Sequence, residues 1–293
     1  MTDRGVETIA PVQRPDLADR AACDALIESI LASVLLSYAQ IPGAAHQQDA
    51  DLLWIRGGRP FASVNHVLRL RMRPDGFEDR VLAVLEAFEP DAFPVTWWVG
   101  PTSRPADVAG RLQGLGLREQ EEEFGMILDL AEPIDEPVIP PGVSLEPVGD
   151  EVALAAMHDV MTAAFDWDAD GEEKRRIYES MYRSTLGVAG AGWHHFLLRL
   201  EGVPAASSSL RLVGGHAFVT NIGTAPFARG RGLGTAATVA TLHLARRLGY
   251  PTAVLTASVD GRGLYRRLGF RDYGILERYV ASTDVPEGLR NRG

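Results

Sequence analysis

From Asp16 to about Tyr38, Leu26, Ile30, Val34 and Tyr38 recur every four residues, with Ile27, Leu31 and Leu35 beside them. That period lays one apolar stripe along a helix. Two short extended runs follow, near Asp51–Arg56 and Phe61–Met72, and the turn residues of Arg73-Pro74-Asp75-Gly76 end the second. The pattern then predicts a helix over Phe77–Phe88 and a strand over Val95–Val99. A helix from near Pro105 to Leu115-Gly116-Leu117 and a strand over Phe124–Leu130 come next. Between Glu132 and Pro141 four prolines stand among acidic residues with no periodicity, which reads as an interdomain linker.

The rhythm then resumes. Strands are expected at Val143–Glu146, His195–Leu200, Ala205–Val213 and His216–Gly223, with helices at Glu151–Ala164 and Glu172–Tyr182. A Gly-rich loop, Arg229–Thr235, opens a helix whose Leu233, Ala237, Ala240, Leu244 and Leu248 share a face, and Gly249 closes it. A strand over Thr252–Ala257, a short helix to Leu268-Gly269-Phe270 and a last strand to about Val280 follow. Val95–Gly100 and Arg111–Leu117 parallel Thr252–Ala257 and Leu264–Phe270: strand, helix, Leu-Gly-apolar, strand. The chain therefore reads as a diverged internal repeat, with domains at 1–138 and 139–293.

A length of 293 residues suits two domains, and 46% hydrophobic with 23% charged residues is globular composition. The net charge of −10 disfavours nucleic acid and anionic lipid as partners. One cysteine, Cys23, excludes an internal disulfide and a paired-cysteine metal site, and reads as core. Met1–Pro15 lacks the apolar stretch of a secretory signal and no run approaches 18 apolar residues, so a cytosolic protein is expected. Charge is uneven. Residues 1–138 hold 12 basic and 23 acidic side chains, whereas Arg229–Arg271 holds eight arginines against Asp260 alone. A basic island in an acidic chain suggests a compact anionic ligand.

That island contains Arg229-Gly230-Arg231-Gly232-Leu233-Gly234-Thr235, set between a strand and a long helix. Glycines let backbone approach a ligand closely, and the first turn of a helix offers unpaired N–H groups and a favourable dipole to an anion. The loop reads as a phosphate cradle. It lacks the Gly-Lys-Ser/Thr of a P-loop, and no acidic residue ends the next strand as a dinucleotide site requires. Arg-x-x-Gly-x-Gly, with Pro226 before it, resembles the coenzyme A pyrophosphate loop of the GNAT superfamily of N-acyltransferases.

The resemblance covers about residues 143–282. Its second motif is Ser258-x-x-Gly261-x-x-Leu264-Tyr265-x-x-Leu268-Gly269-Phe270, similar to the family's Asn-x-x-Ala-x-x-Leu-Tyr-x-x-x-Gly-Phe. It implies a mixed α/β fold of two tandem GNAT-like domains. Each would be a mostly antiparallel twisted sheet flanked by helices, the second with a splayed parallel strand pair. It also implies acyl transfer from acetyl-coenzyme A to a primary amine of a small molecule or peptide by direct attack, with no metal. Tyr265 would protonate the departing thiolate. Ile222, Gly223 and Thr224 would face the thioester and pantetheine through backbone groups, and the 229–235 loop, Ser258 and Gly261 would complete the coenzyme site. Ser258 departs from the family's Asn.

Phe165, Asp166 and Trp167 fall in the interhelical loop where the family contacts its acceptor. The general base stays open between Asp166 and His216. In the first half, Arg73–Asp79 aligns with the cradle, but Glu78 replaces a glycine, and Leu112 stands where Tyr265 does. It reads as a degenerate copy that shapes the acceptor cleft, with Trp97 and Trp98 more at home in a core strand. Two other readings keep the fold: a donor phosphopantetheine on a carrier protein, and a non-catalytic acyl-coenzyme A-binding module. Acceptor identity, acyl length and oligomeric state are not written in the sequence.

Overall fold

The computed structural model describes residues 14–88, 93–165, 171–183, 186 and 192–281. Strands β1 (Ala45–Gln48), β2 (Leu53–Arg56), β3 (Asn65–Leu68), β4 (Val95–Val99), β5 (Arg118–Glu119) and β6 (Glu123–Asp129) come from the first half. Strands β7 (Val143–Pro147), β8 (Trp193–Leu200), β9 (Val203–Val213), β10 (His216–Thr224), β11 (Thr252–Ala257) and β12 (Arg271–Ala281) come from the second. The helices are α1 (Arg20–Leu35), α2 (Phe77–Glu86), α3 (Val108–Gly114), α4 (Glu151–Phe165), α5 (Gly171–Arg183), α6 (Leu233–Arg247) and α7 (Val259–Arg267).

All twelve strands join one sheet, in the order β1-β2-β3-β4-β12-β6-β11-β10-β9-β8-β7, with β5 on β12. The two halves trade strands. β6, from the first half, lies antiparallel between β11 and β12 of the second, with Ala257 opposite Phe124 and Leu276 opposite Glu123. The far end of β12 crosses to the first half and pairs with β4 and β5, with Tyr279 opposite both Trp97 and Glu119.

The trade follows from two equivalent helix ends. At the end of α3, Leu117 N–H bonds Leu112 C=O (3.1 Å) and Gly116 N–H bonds Gln113 C=O (2.9 Å). At the end of α7, Phe270 bonds Tyr265 (3.1 Å) and Gly269 bonds Arg266 (3.0 Å) in the same way. Gly116 (φ 86°) and Gly269 (φ 93°) take the left-handed conformation that this cap requires. The sequence repeat thus reappears as two matched caps, each launching a strand into the opposite half.

Helix α1 packs across the join. Asp19 caps it by accepting from Ala22 N–H (3.0 Å), and Cys23, Ile27, Ile30, Leu31 and Val34 are buried in a core shared with Ile127, Phe218, Val254 and Leu276. Gly125 of β6 admits it, because a Cβ there would stand 2.9 Å from Ile27 Cδ1. Residues Arg20–Gln40 are long and apolar enough to cross a membrane by length and composition, with a mean hydropathy of 1.5, and their apolar face lies inside this core. The helix begins four residues later than the apolar stripe suggests, and Leu36–Gln40 tightens into a 3-10 turn. Phe61–Met72 is not one strand, since a 3-10 turn at Ala62–Val64 precedes the short β3.

Candidate functional site

β10 and β11 run parallel but pair only at Ala217–Ala253 and Phe218–Val254, then part. The cause lies on the other edge of β10. Its register with β9 shifts between Thr220 and Gly223, and within that bulge Asn221 has φ 53°. Asparagine tolerates left-handed backbone better than most residues. Its surroundings fix it: Asn221 Nδ2 donates to Tyr182 Oη (2.9 Å) and Ser209 Oγ (3.1 Å), while its carbonyl accepts from Ser207 Oγ (2.9 Å). A bulge turns backbone groups out of the ladder, here at Asn221-Ile222 where the strands open.

Beyond the opening lies the cradle. Gly230 (φ 74°) and Gly232 (φ 81°) are left-handed, and Gly232 is the N-cap of α6. The first α6 bond runs from Ala236 N–H to Gly232 C=O (3.0 Å), so the preceding amides belong to the helix's open first turn. At Gly234 a Cβ would meet Thr224 Oγ1 at 3.4 Å, which brings the loop against the end of β10. Arg231 is exposed beside this turn. Arg229 does something else: its guanidinium donates to the carbonyls of Thr224 and Ala164, both at 3.2 Å, tying β10 to the end of α4. Glycines where left-handed backbone is demanded, open helical amides and one exposed arginine fit a phosphate-bearing ligand.

Ser258 caps α7 through its own hydroxyl, which accepts from Gly261 N–H (3.2 Å). Gly261 lies under the Tyr265 ring, and a Cβ there would stand 3.2 Å from Tyr265 Cε2. Tyr265 is 9% exposed, packs edge-on against Phe270 (5.9 Å between centroids), and burial pushes its hydroxyl up to about 12. It stays protonated at neutral pH and can serve as a proton donor.

A cleft of about 620 Å³ joins these parts. Ile222, Thr256, Ser258, Tyr265 and Phe165 line one side. The first half supplies much of the rest, including Tyr38, His66, Trp98, Gln120 and Glu123. Trp98 Nε1 donates to His66 Nδ1 (3.2 Å), and His66 Nε2 bonds Ser63 C=O (3.0 Å). Burial lowers His66 to about 4, so it is neutral with both nitrogens engaged.

Of the residues expected from sequence, Ile222, Ser258, Tyr265 and Phe165 line this cleft; Thr224 and the cradle residues 229–235 do not, although Thr224 packs against Gly234. Gly223 is buried beneath Phe165, where a Cβ would meet Phe165 Cε2 at 3.5 Å. Leu233 is buried, and Thr235 follows it in the first turn of α6. Asp166 and Trp167 lie outside the described residues. His216 sits at the opposite end of β10 from the bulge, does not line the cleft, and is lowered by burial. Asn221, Tyr182, Glu123 and Arg278 were not singled out by sequence. An asparagine before the cradle strand's last residues hints at a bulge, but the other three carry no local signal. No cluster of metal-binding side chains occurs among the described residues.

β10 and β11, parallel and parted beyond two paired positions, thus stand beside the glycine-rich start of α6. Residues 154–270 match the family model of the Acetyltransferase (GNAT) family. The chain is 30% identical over 205 residues to a mycothiol acetyltransferase of Nocardia farcinica, an alignment spanning 64% of this chain and 63% of that relative. A GCN5-related N-acetyltransferase from Kribbella flavida superposes with a TM-score of 0.68 at 18% identity, covering 87% of this chain and 95% of that one. A tandem GNAT protein from the clavulanic acid biosynthesis pathway gives 0.59 at 16% identity, covering 92% and 96%. The fold is therefore a GNAT fold with tandem relatives.

Proposed function

We propose that this chain transfers an acetyl or other short acyl group from coenzyme A to a primary amine, with both substrates bound together. The observation that carries the reading is the bulge at Asn221-Ile222. It parts β10 from β11 beside a cleft lined by Asn221, Ile222 and Tyr265, and β10 leads from there to the 229–235 loop. Gly230, Gly232, Gly234 and Thr235 would hold the pyrophosphate through backbone amides, with Arg231 adding charge. Ile222 and Thr224 would offer backbone groups to the thioester and pantetheine, and Ser258 and Gly261 would set the wall beside them. The coenzyme supplies an acyl group activated as a thioester. Ile222 N–H would face the carbonyl oxygen as an electrostatic stabiliser, and Tyr265 would give its proton to sulfur.

One site per chain is expected. In the first half the residue equivalent to Gly234 is Glu78, whose carboxylate sits in the first turn of α2, 2.9 Å from Arg111 Nη1. A carboxylate there repels phosphate. The acceptor would lie between the halves, against Tyr38, Trp98 and the polar residues of the cleft. Such a wall suits a hydroxylated or cationic amine. The name of the Nocardia relative supports mycothiol-type acceptors among those to be screened.

Calorimetry with coenzyme A should give one site per chain, and a mass-spectrometric amine screen with acetyl-coenzyme A should give an acylated product. Absence of both binding and product would overturn the reading.

A further inference from the structure

The exchanged strand does more than complete the sheet. Phe124 pairs with Ala257 at the end of β11, so Glu123 is the next residue out, beside Ser258 at the cap of the Tyr265 helix. Alternation along β6 places Glu123 on the face of Gly125 and Ile127, where Ile127 meets α1, and opposite to Phe124 and Met126, which pack with Tyr265. Glu123, from the first half, and Tyr265, from the second, thus line the same cleft.

We propose that Glu123 is the catalytic base contributed by the first half, which takes the proton of the acceptor nitrogen; this rests on the acyltransferase reading above. Among the described residues of the cleft, Glu123 is the one carboxylate. The remaining titratable groups cannot serve. His66 has both ring nitrogens engaged. Tyr38, Tyr178 and Tyr265 are raised by burial and stay protonated. Lys174 and Arg278 are cations.

Arg278 holds the carboxylate in place. Its Nη1 lies 3.3 Å from Glu123 Oε1, its Nε donates to Glu121 C=O (2.8 Å), and its guanidinium lies 5.7 Å from the Trp98 ring centroid. Arg278 belongs to β12, the strand the second half gives in return, so each half sends one member of this pair across the join. In the step, the Glu123 carboxylate, directly or through one water, takes the proton of the acceptor ammonium and passes it to solvent. The freed nitrogen lone pair bonds the acyl carbon, the carbon–sulfur bond breaks, and the sulfur takes its proton from Tyr265. The proton that the new amide nitrogen then sheds returns through water to Tyr265.

The test uses the full chain. A crystal structure with acetyl-coenzyme A should place the Glu123 carboxylate within roughly 6 Å of the thioester carbon, the reach of one bridging water. A separation too long for either direct contact or one water overturns the assignment. The second readout compares single-turnover transfer to ethanolamine, protonated at neutral pH, and to hydroxylamine, largely free base there. Glu123→Gln should slow transfer to ethanolamine by about 10²–10⁴-fold and transfer to hydroxylamine by less than about tenfold. Equal losses with both amines would return Glu123 to a structural role. Calorimetry separates the two ideas: wild-type protein that fails to bind acetyl-coenzyme A overturns the acyltransferase reading itself.

Discussion

The Asn221 side chain donates to the Tyr182 hydroxyl over 2.9 Å, so a helix outside the sheet holds the bulge that parts β10 from β11. Asn221→Ala removes both side-chain donations and places alanine at φ 53°. It should destabilise the protein by about 1–3 kcal/mol, read as a lower urea midpoint. Asn221→Gly keeps the backbone comfortable and should recover about 1 kcal/mol of that loss. Identical midpoints for the two variants would show that the bulge does not depend on left-handed backbone.

The cradle predicts an order of effects on coenzyme A binding. Gly232→Val places a β-branched residue at φ 81°, at the cap that aims the first amides of α6. Affinity should fall more than tenfold by calorimetry. Gly230→Ala adds a methyl with no atom within 4 Å, so only backbone strain opposes it and the loss should be smaller. The reverse order would remove the N-cap geometry from the account.

Tyr265→Phe keeps the ring on Phe270 and removes only the hydroxyl. Single-turnover acyl transfer should fall by about 10²–10⁴-fold with coenzyme affinity nearly unchanged. Because burial raises this hydroxyl to about 12, its ionisation should not limit the rate anywhere below about pH 11. An unchanged single-turnover rate would reduce Tyr265 to packing.

Acid should weaken the fold in a defined window. Burial lowers His66 to about 4 and His195 to about 3, from an ordinary value near 6.5. Below 6.5 the unfolded chain binds protons that these folded histidines refuse. Stability contributed by the neutral rings is complete above that value and is lost as pH falls toward 4. Urea midpoints measured from pH 7 to 4.5 should decline with an uptake of about two protons from this pair. Replacing His66 by Gln, which keeps hydrogen-bonding capacity for Trp98 and Ser63, should lower the uptake by about one.

The traded strands make a prediction about fragments. A chain of residues 139–293 loses β6, which leaves β11 and the first part of β12 without the partner between them. It should aggregate or remain unfolded by circular dichroism. A chain of residues 118–293 restores β5 and β6 and should be the more soluble of the two. Equal folding of both fragments would show that the second half can close its own sheet.

The features readable from sequence are the local ones. Arg229–Thr235 announces itself because glycines and arginines of one loop make the cradle without distant partners, and Leu115-Gly116-Leu117 and Leu268-Gly269-Phe270 mark their helix ends through the same left-handed cap. Glu123 is different. It closes the run Glu121-Glu122-Glu123, a pattern that reads as a solvated face, and only pairing with Ala257 and Leu276 carries its neighbourhood to the cleft. Which strand lies next to which depends on contacts more than a hundred residues apart, and hydrophobic alternation looks the same for either choice. Arg229 illustrates a smaller gap: its place in the motif suggests a charge for the ligand, whereas its guanidinium bonds two backbone carbonyls.

Synthesis on the ribosome proceeds from the first residue to the last, and the reciprocal trade sets a timetable for it. When residues 1–138 have emerged, β4 has one exposed edge, with Trp97 and Trp98 on that strand, and its permanent neighbour, β12, is made only after β7 to β11. An unpaired apolar edge is a template for association with other nascent chains. Neither half can reach its final state before the other exists, so the nascent first half has to persist with an open edge until the segment beyond Phe270 is released. Loss of only the last strand would then damage the half made first.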